Sequence, residues 1–175
     1  MHNFFLAKNP LLYKLISNLR RKINYEKILY LENIREDFVV LDVGANRGYY
    51  TSLFSFLVGK NGEVHAFEPV PETYQELINL KTAFENVCTN NLAVGEKPGY
   101  AIIKYDPNDR EKATLIQSSS SFTKILKTEV VSIDQYVKNS NLQFVDFIKC
   151  DVEGFELEVL LGAVQTLSTF SPKIS

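Results

Sequence analysis

The chain has 175 residues, of which 45% are hydrophobic, 12% aromatic and 23% charged. This composition supplies enough apolar side chains for one buried core, and it excludes intrinsically disordered and collagen-like proteins. The net charge of −2 provides no strong field to hold a nucleic-acid backbone. We therefore expect a single globular domain with no nucleic-acid partner.

The rare residue types and the chain start predict a soluble, cytoplasmic protein. The two cysteines, Cys88 and Cys150, lie in apolar runs and are predicted to be buried free thiols. The apolar start MHNFFLA lacks the basic region and cleavage site of a signal peptide. No apolar run approaches the roughly 20 residues of a membrane span.

The first part of the chain is predicted to be helical. Residues 11–34 carry apolar side chains at helical spacing, so we assign 1–36 as an N-terminal helical segment and 37–175 as the main domain. Basic residues crowd this segment at Lys14, Arg20, Arg21, Lys22 and Lys27. A solvated polar face is the preferred interpretation, and weak contact with a membrane surface or a partner is the alternative.

From residue 38 the pattern changes to buried strands that alternate with helices. Strands are predicted in FVVLDVG (38–44), EVHAFEP (63–69), NVCTNNLAVG (86–95) and FVDFIKCDV (144–152). Helices are predicted over 46–58, 71–84, a short stretch that begins at Ser132, and 155–168. Because parallel strands need crossover helices, the alternation predicts an α/β fold with a doubly wound, mostly parallel sheet.

Two segments depart from this alternation. Residues 100–130 are predicted to form an irregular hairpin around the serines at 118–121, and the final SPKIS is compatible with the start of a fifth strand. The last helix is predicted to place its apolar residues on one face, at Leu157, Leu160, Leu161, Val164 and Leu167. His65 is interpreted as a packed core histidine, and Tyr49 and Tyr50 as core or pocket residues.

The loop after the first strand, DVGANRG, is the first candidate ligand site, because ligands of such sheets bind beyond the carboxyl ends of the strands. Gly44 and Gly48 let a ligand approach the backbone closely. A dinucleotide fingerprint would need a glycine where Asn46 stands, which disfavours an NAD-dependent oxidoreductase. Asp42 places a carboxylate at the strand end and favours a ligand that carries positive charge or amine donors.

Glu68 ends the second strand, about 20 residues after the loop, where doubly wound nucleotide sites place an acid on ribose hydroxyls. The alternative is that Glu68 caps the turn before Pro69. An acid beside a glycine loop, together with an acid for a ribose, fits S-adenosylmethionine. This ligand is cationic and its adenosine carries a diol.

Three motifs, DVGANRG, FEP and IKCDVEGFELEVLLGA, together resemble the FkbM family of S-adenosylmethionine-dependent methyltransferases, from about Phe38 to Pro172. The resemblance implies a class I methyltransferase fold that methylates a hydroxyl on a sugar, glycan or other small metabolite. It implies that the cofactor is held by Asp42, Gly44, Asn46, Gly48 and Glu68, with Asn91 and Ala93 near the adenine. For Asn91 the alternative is a cap on the strand end.

Acidic residues follow the fourth predicted strand. We predict Asp151 as the residue nearest the methyl donor and acceptor, and Glu153 as a second acid, because the acceptor hydroxyl must lose a proton. The alternative is that Glu153 and Glu156 stabilise the N-terminus of the next helix. Asp151 and Glu153 offer oxygen ligands, but we expect no metal there.

The fold implied by the resemblance has seven strands, and this chain reaches only the start of the fifth. Without further strands the fourth predicted strand would have an exposed apolar edge, through which the chain would form oligomers. The alternative function is therefore a catalytically inactive, truncated remnant that binds cofactor or acts as an interaction module.

Overall fold

A computed structural model describes residues 24–81, 83–106, 109–114 and 124–175. The helices are α1 (Tyr25–Asn33), α2 (Tyr49–Val58), α3 (Pro71–Lys81), α4 (Ile133–Asn139), α5 (Glu156–Leu161) and α6 (Val164–Phe170). The strands are β1 (Val39–Val43), β2 (Glu63–Phe67), β3 (Val87–Asn90), β4 (Ala93–Val94), β5 (Gly99–Asp106), β6 (Asp109–Thr114), β7 (Lys124–Val131), β8 (Phe147–Cys150) and β9 (Lys173–Ile174).

The main sheet has the strand order β3-β2-β1-β8-β9, and every neighbouring pair in it is parallel. The chain thus begins the sheet in the middle with β1, moves outward to β3, and crosses to the other side at β8. Val40 of β1 pairs with Val64 of β2 and with Phe147 of β8. This order confirms the predicted doubly wound, mostly parallel α/β fold.

Alternate side chains along the central strands point to opposite faces of the sheet, and each face is covered by its own hydrophobic cluster. The cluster under α1 and α2 contains Tyr30, Leu31, Ile34, Val40, Leu53, Phe54, Leu57, Val58, Val64, Val87 and Phe147. The cluster under α4, α5 and α6 contains Leu41, Val43, Phe67, Val94, Val131, Ile133, Tyr136, Val137, Val145, Ile148, Val159 and Ala163. Because α1 contributes Tyr30 and Leu31 to the first cluster, this helix is part of the core.

A second sheet with the order β4-β7-β5-β6 replaces the irregular hairpin. Strands β5 and β7 pair in antiparallel register from Gly99 with Val130 to Tyr105 with Lys124. The third strand predicted within 86–95 is observed as β3, which ends at Asn90, while the rest of that segment contributes β4 to this second sheet beside β7. The serines at 118–121 lie outside the described residues.

The predicted helix over 155–168 is two helices. Gly162 separates α5 from α6, and its Cα packs so closely that a Cβ would lie 2.1 Å from the Gly95 carbonyl oxygen. The carboxylate of Asp134 accepts hydrogen bonds from Gln165 N and Thr166 N and caps the start of α6. The predicted common apolar face is also wrong, since Leu157, Leu161 and Val164 are exposed.

The expectation that the fourth predicted strand lacks an outer neighbour is wrong. Strand β9 pairs with β8 through Phe147 with Lys173 and Ile148 with Ile174, and this confirms a fifth strand in SPKIS. The prediction that Cys88 is buried is wrong as well, because β3 lies at the edge of the sheet and exposes this residue. Cys150 is partly buried.

The predicted helix over 11–34 is observed in part. Its segment Tyr25–Asn33 is helical, with Asn24 Oδ1 accepting a hydrogen bond from Lys27 N as the N-cap. Most of the basic residues of the segment, from Lys14 to Lys22, lie outside the described residues. No helix in the described ranges has both the length and the apolar character needed to cross a membrane.

We predict that Gly162→Ala destabilises the fold by about 2 kcal/mol or more, because the new methyl group would overlap the Gly95 carbonyl and force the backbones apart. Chemical denaturation measures the effect. Thr169→Ala, on the exposed side of α6, serves as the control and should change stability by less than about 0.5 kcal/mol. Equal stability of both variants would contradict the packing described for Gly162.

Candidate active site

The loop between β1 and α2 has a backbone that few residues adopt. Gly44, Asn46 and Gly48 all have left-handed backbone angles, with φ of 77°, 51° and 80°. The loop is held against the end of β2, because Gly44 N and Ala45 N both donate hydrogen bonds to the Phe67 carbonyl. Gly48 then caps the start of α2. The turn therefore places the Asn46 backbone directly beside Glu68.

Glu68 lies at the carboxyl end of β2 and is 6% exposed. Its two carboxylate oxygens accept hydrogen bonds from Asn46 N at 3.0 Å and from Val70 N at 2.9 Å. Burial raises the pKa of Glu68 to about 7, and the two backbone donors offset only part of this effect. Each carboxylate oxygen keeps a further lone pair, so the group can accept hydrogen bonds from a ligand.

An open cleft with a volume of about 110 Å³ lies in front of Glu68. It is lined by Val43, Gly44, Asn46, Phe67, Glu68, Pro69, Leu92, Ala93, Val94, Ile103, Asp151, Val152, Glu153 and Phe155. The lining comes from the segments that follow four strands of the main sheet, β1, β2, β3 and β8, and from Ile103 of β5. The structure thus brings together Gly44, Asn46, Glu68, Ala93, Asp151 and Glu153.

Asn91 and Gly48 do not line this cleft. The Asn91 side chain donates hydrogen bonds to the carbonyl oxygens of Glu68 at 2.8 Å and Pro69 at 3.1 Å. It therefore ties the segment after β3 to the segment after β2. This contact agrees with the alternative interpretation of Asn91 as a strand-end cap, and Gly48 acts through the shape of its turn.

Asp42 is fully buried and also lies outside the cleft lining. Its side chain points to the α2 face of the sheet, where its Oδ2 accepts a hydrogen bond of 2.6 Å from Thr51 Oγ1. Burial raises the pKa of Asp42, while Lys149 and Thr51 act in the opposite direction. The predicted direct contact of Asp42 with a ligand is not supported, because strand alternation turns this side chain away from the cleft.

Lys149 is a buried residue behind the cleft, outside its lining, that the sequence patterns did not single out. It is the register partner of Asp42 across β1 and β8, and it is 3% exposed. Its ammonium nitrogen lies 3.5 Å from Asp42 Oδ1, 3.2 Å from the Gly44 carbonyl oxygen and 3.3 Å from Asp151 Oδ2. The signal that would have found it is a lysine inside an apolar strand, which needs a buried acid as its neighbour.

The segment after β8 brings acidic groups to the mouth of the cleft. The Asp151 side chain is 61% exposed, while its backbone is fixed by a hydrogen bond from Asp151 N to the Val43 carbonyl. Glu153 has a left-handed backbone with φ of 53°, followed by Gly154 with φ of 99°. Glu156 Oε1 accepts a hydrogen bond from Gly154 N, in agreement with the interpretation of Glu156 as a helix-start residue.

The remaining candidates lie elsewhere. His65 is a packed core residue as predicted, with Nδ1 2.9 Å from the Tyr136 hydroxyl and Nε2 3.1 Å from Glu63 Oε2. Tyr49 is exposed, and Tyr50 packs beside Phe54 in the core under α2. Among the described side chains, no group of three or more His, Cys, Asp or Glu residues is arranged to bind a metal ion.

The family is decided by the sequence of the region that builds this cleft. Residues 42–175 match the family model described as the Methyltransferase FkbM domain. The chain belongs to the FkbM methyltransferase family. This confirms the resemblance carried by the motifs, and S-adenosylmethionine is the methyl donor of that family.

Known proteins similar to this FkbM chain are methyltransferases. It is 31% identical over 142 residues to the hexuronic acid methyltransferase AglP of Haloferax volcanii, covering 81% of this chain and 56% of that protein. It is 25% identical to methyltransferase sdnD of Sordaria araneosa, covering 90% of this chain and 74% of that protein. The chain thus spans little more than half the length of the Haloferax relative.

A solved structure of an S-adenosylmethionine-dependent methyltransferase from Aquifex aeolicus superposes with a TM-score of 0.45. The sequence identity is 20%, and the superposition covers 87% of this chain and 65% of the Aquifex chain.

We predict that Glu68 makes the folded FkbM domain less stable as the pH rises from about 4.5 to about 7. The pKa of Glu68 is raised to about 7 in the folded chain, so the folded state binds more protons than the unfolded state in this interval. The free energy of unfolding should fall with pH by up to about 3 kcal/mol more in the wild type than in Glu68→Gln. Urea denaturation across this pH range measures both, and parallel curves would contradict the prediction.

Proposed function

We propose that this FkbM chain binds S-adenosylmethionine in the cleft and transfers its methyl group to a hydroxyl of a sugar, glycan or other small metabolite. The observation that carries the proposal is Glu68, a nearly buried carboxylate held by the backbone at the carboxyl end of β2. Its ordered position and unused lone pairs suit an acceptor of ribose hydroxyl hydrogen bonds.

The cleft lining fits both ends of the cofactor. Apolar side chains from Phe67, Leu92, Val94, Ile103 and Phe155 offer a surface for adenine. Carboxylates at Asp151 and Glu153 also line the cleft and suit a ligand with positive charge. The Gly44–Gly48 loop presents backbone where the ligand passes. When bound, S-adenosylmethionine supplies a methyl group attached to a positively charged sulfur.

Asp151 is our candidate catalytic residue. Its exposed carboxylate stands at the mouth of the cleft, while its backbone is anchored to β1 through the Val43 carbonyl. A carboxylate in this position can accept the proton that an acceptor hydroxyl loses as its oxygen bonds to the methyl carbon. Glu153, held in a left-handed backbone two residues later, is our candidate for a second acid.

A sugar-containing acceptor is the substrate class that we favour. The Haloferax relative is named a hexuronic acid methyltransferase, and its similarity covers 81% of this chain. Saccharides that contain a hexuronic acid are therefore the first acceptors to test. The activity of a whole protein that contains this sequence is part of the same proposal.

We expect calorimetric titration to show saturable binding of S-adenosylmethionine, and Glu68→Gln to weaken it by about tenfold or more. The amide accepts weaker hydrogen bonds than a carboxylate. Wild-type affinity should also rise from pH 6 to pH 8, because the pKa of Glu68 is raised to about 7 and the ionised form accepts hydroxyl hydrogen bonds best.

Glu63→Gln is the matched control for this titration. Glu63 occupies the opposite end of β2 and its side chain is 56% exposed, so its substitution should leave the affinity unchanged. The absence of binding by folded wild-type protein would refute the proposed cofactor.

We expect Asp151→Asn to lower kcat by about 100-fold or more, because the amide cannot accept the proton of the acceptor hydroxyl. The asparagine oxygen can still accept a hydrogen bond from Lys149, so the affinity for S-adenosylmethionine should change little. Release of S-adenosylhomocysteine with hexuronic acid saccharides as acceptors measures kcat. A wild-type value of kcat in this variant would refute the catalytic role of Asp151.

A further inference from the structure

Lys149 is buried directly beneath the cleft although it carries a charged side chain. It occupies β8 between Ile148 and Cys150, and strand alternation turns its side chain to the α2 face. The ring of Tyr50 lies 5.8 Å from the ammonium nitrogen on that face. A lysine with 3% of its surface exposed is strongly disfavoured unless its donors are used.

The ammonium group lies near acceptors from three parts of the chain, forming an ion pair with Asp42 and donating hydrogen bonds to the other two. Asp42 Oδ1 belongs to β1, at 3.5 Å, and the Gly44 carbonyl oxygen belongs to the loop after β1, at 3.2 Å. Asp151 Oδ2 belongs to the segment after β8, at 3.3 Å. Lys149 therefore contacts both the loop that would hold the cofactor and the carboxylate that would face the acceptor.

Neutralising Asp42 would require only the first of these contacts. The Gly44 carbonyl carries no net charge, and Asp151 is 61% exposed and already solvated. Contacts to these two groups add little to charge balance, but they fix the Gly44 loop and Asp151 relative to each other. Glu68, the remaining acid near the pair, interacts with both Asp42 and Lys149 through space.

We propose that Lys149 is a positioning residue for methyl transfer, which ties the Gly44 loop to Asp151 and so sets the distance between cofactor and proton acceptor. This inference rests on the proposed function for its role in catalysis. The tie itself is a property of the protein without ligands. A displacement of about 1 Å between reacting groups is enough to lower a rate severely.

The test uses variants that separate positioning from charge balance. Lys149→Met alone would leave Asp42 buried without a counter-charge, so it is paired with Asp42→Asn in a double variant. Asp151→Ala removes only the exposed end of the tie and leaves the buried pair intact. The matched control for Asp151→Ala is Asp151→Asn, which keeps an acceptor oxygen for Lys149. Thr166→Val, in α6, controls for the loss of an unrelated buried hydrogen bond.

The first measurement is amide hydrogen exchange of the ligand-free full chain. We expect exchange of the 43–48 and 151–155 segments to rise by about tenfold in the double variant and in Asp151→Ala. Asp151→Asn and Thr166→Val should leave these segments near the wild-type rate. Exchange that stays at the wild-type rate in both the double variant and Asp151→Ala would overturn the inference.

The second measurement is calorimetric titration with S-adenosylmethionine. We expect the double variant to bind about tenfold more weakly than the wild type even if the two proteins have the same melting temperature. Wild-type affinity in a folded double variant would show that Lys149 only balances the charge of Asp42, and it would overturn the inference. A wild-type chain that binds no cofactor would refute the proposed function. The exchange result would still test whether Lys149 ties the Gly44 loop to Asp151.

Discussion

The contact between the Asp42 carboxylate and the Lys149 ammonium group is the constraint on which the geometry of the cleft depends. The two residues are register partners on neighbouring central strands, and both are almost fully buried. Neither charge is stable there without the other. The pair holds the Lys149 ammonium group between the two strand ends, where it also contacts the Gly44 carbonyl oxygen and Asp151.

Close approach of the backbones completes this arrangement. A Cβ on Gly44 would lie 1.9 Å from the Asp151 carbonyl oxygen, so only glycine lets the two strand ends meet. Asn91 ties the end of β3 to the Glu68 segment in the same way, through hydrogen bonds to backbone carbonyls. The cleft is thus bounded by four strand ends that are joined to one another and is lined by both apolar and acidic side chains.

Local patterns predicted the parts of the fold that depend on neighbouring residues. Apolar runs located the central strands, and the Ser132 cap marked the start of α4, where its Oγ accepts a hydrogen bond from Gln135 N. Local patterns gave wrong predictions where contacts between residues far apart in sequence determine the structure. Gly162 breaks a continuous helical pattern because it packs on Gly95, and Cys88 is exposed because β3 is an edge strand. Neither the packing of Gly162 nor the edge position of β3 can be predicted from the adjacent sequence.

The sequence by itself determined the alternation of strands and helices, the glycine loop, and the position of Glu68 at a strand end, because each follows from spacing along the chain. Only the tertiary structure decided which acids reach the cleft. Asp42 was predicted to face the ligand but is turned away, while Lys149, in an apparently apolar strand, joins two parts of the site. The reason is that the orientation of a side chain in a sheet depends on the register between strands that are far apart in sequence. A shift of one residue in that register moves each side chain to the opposite face.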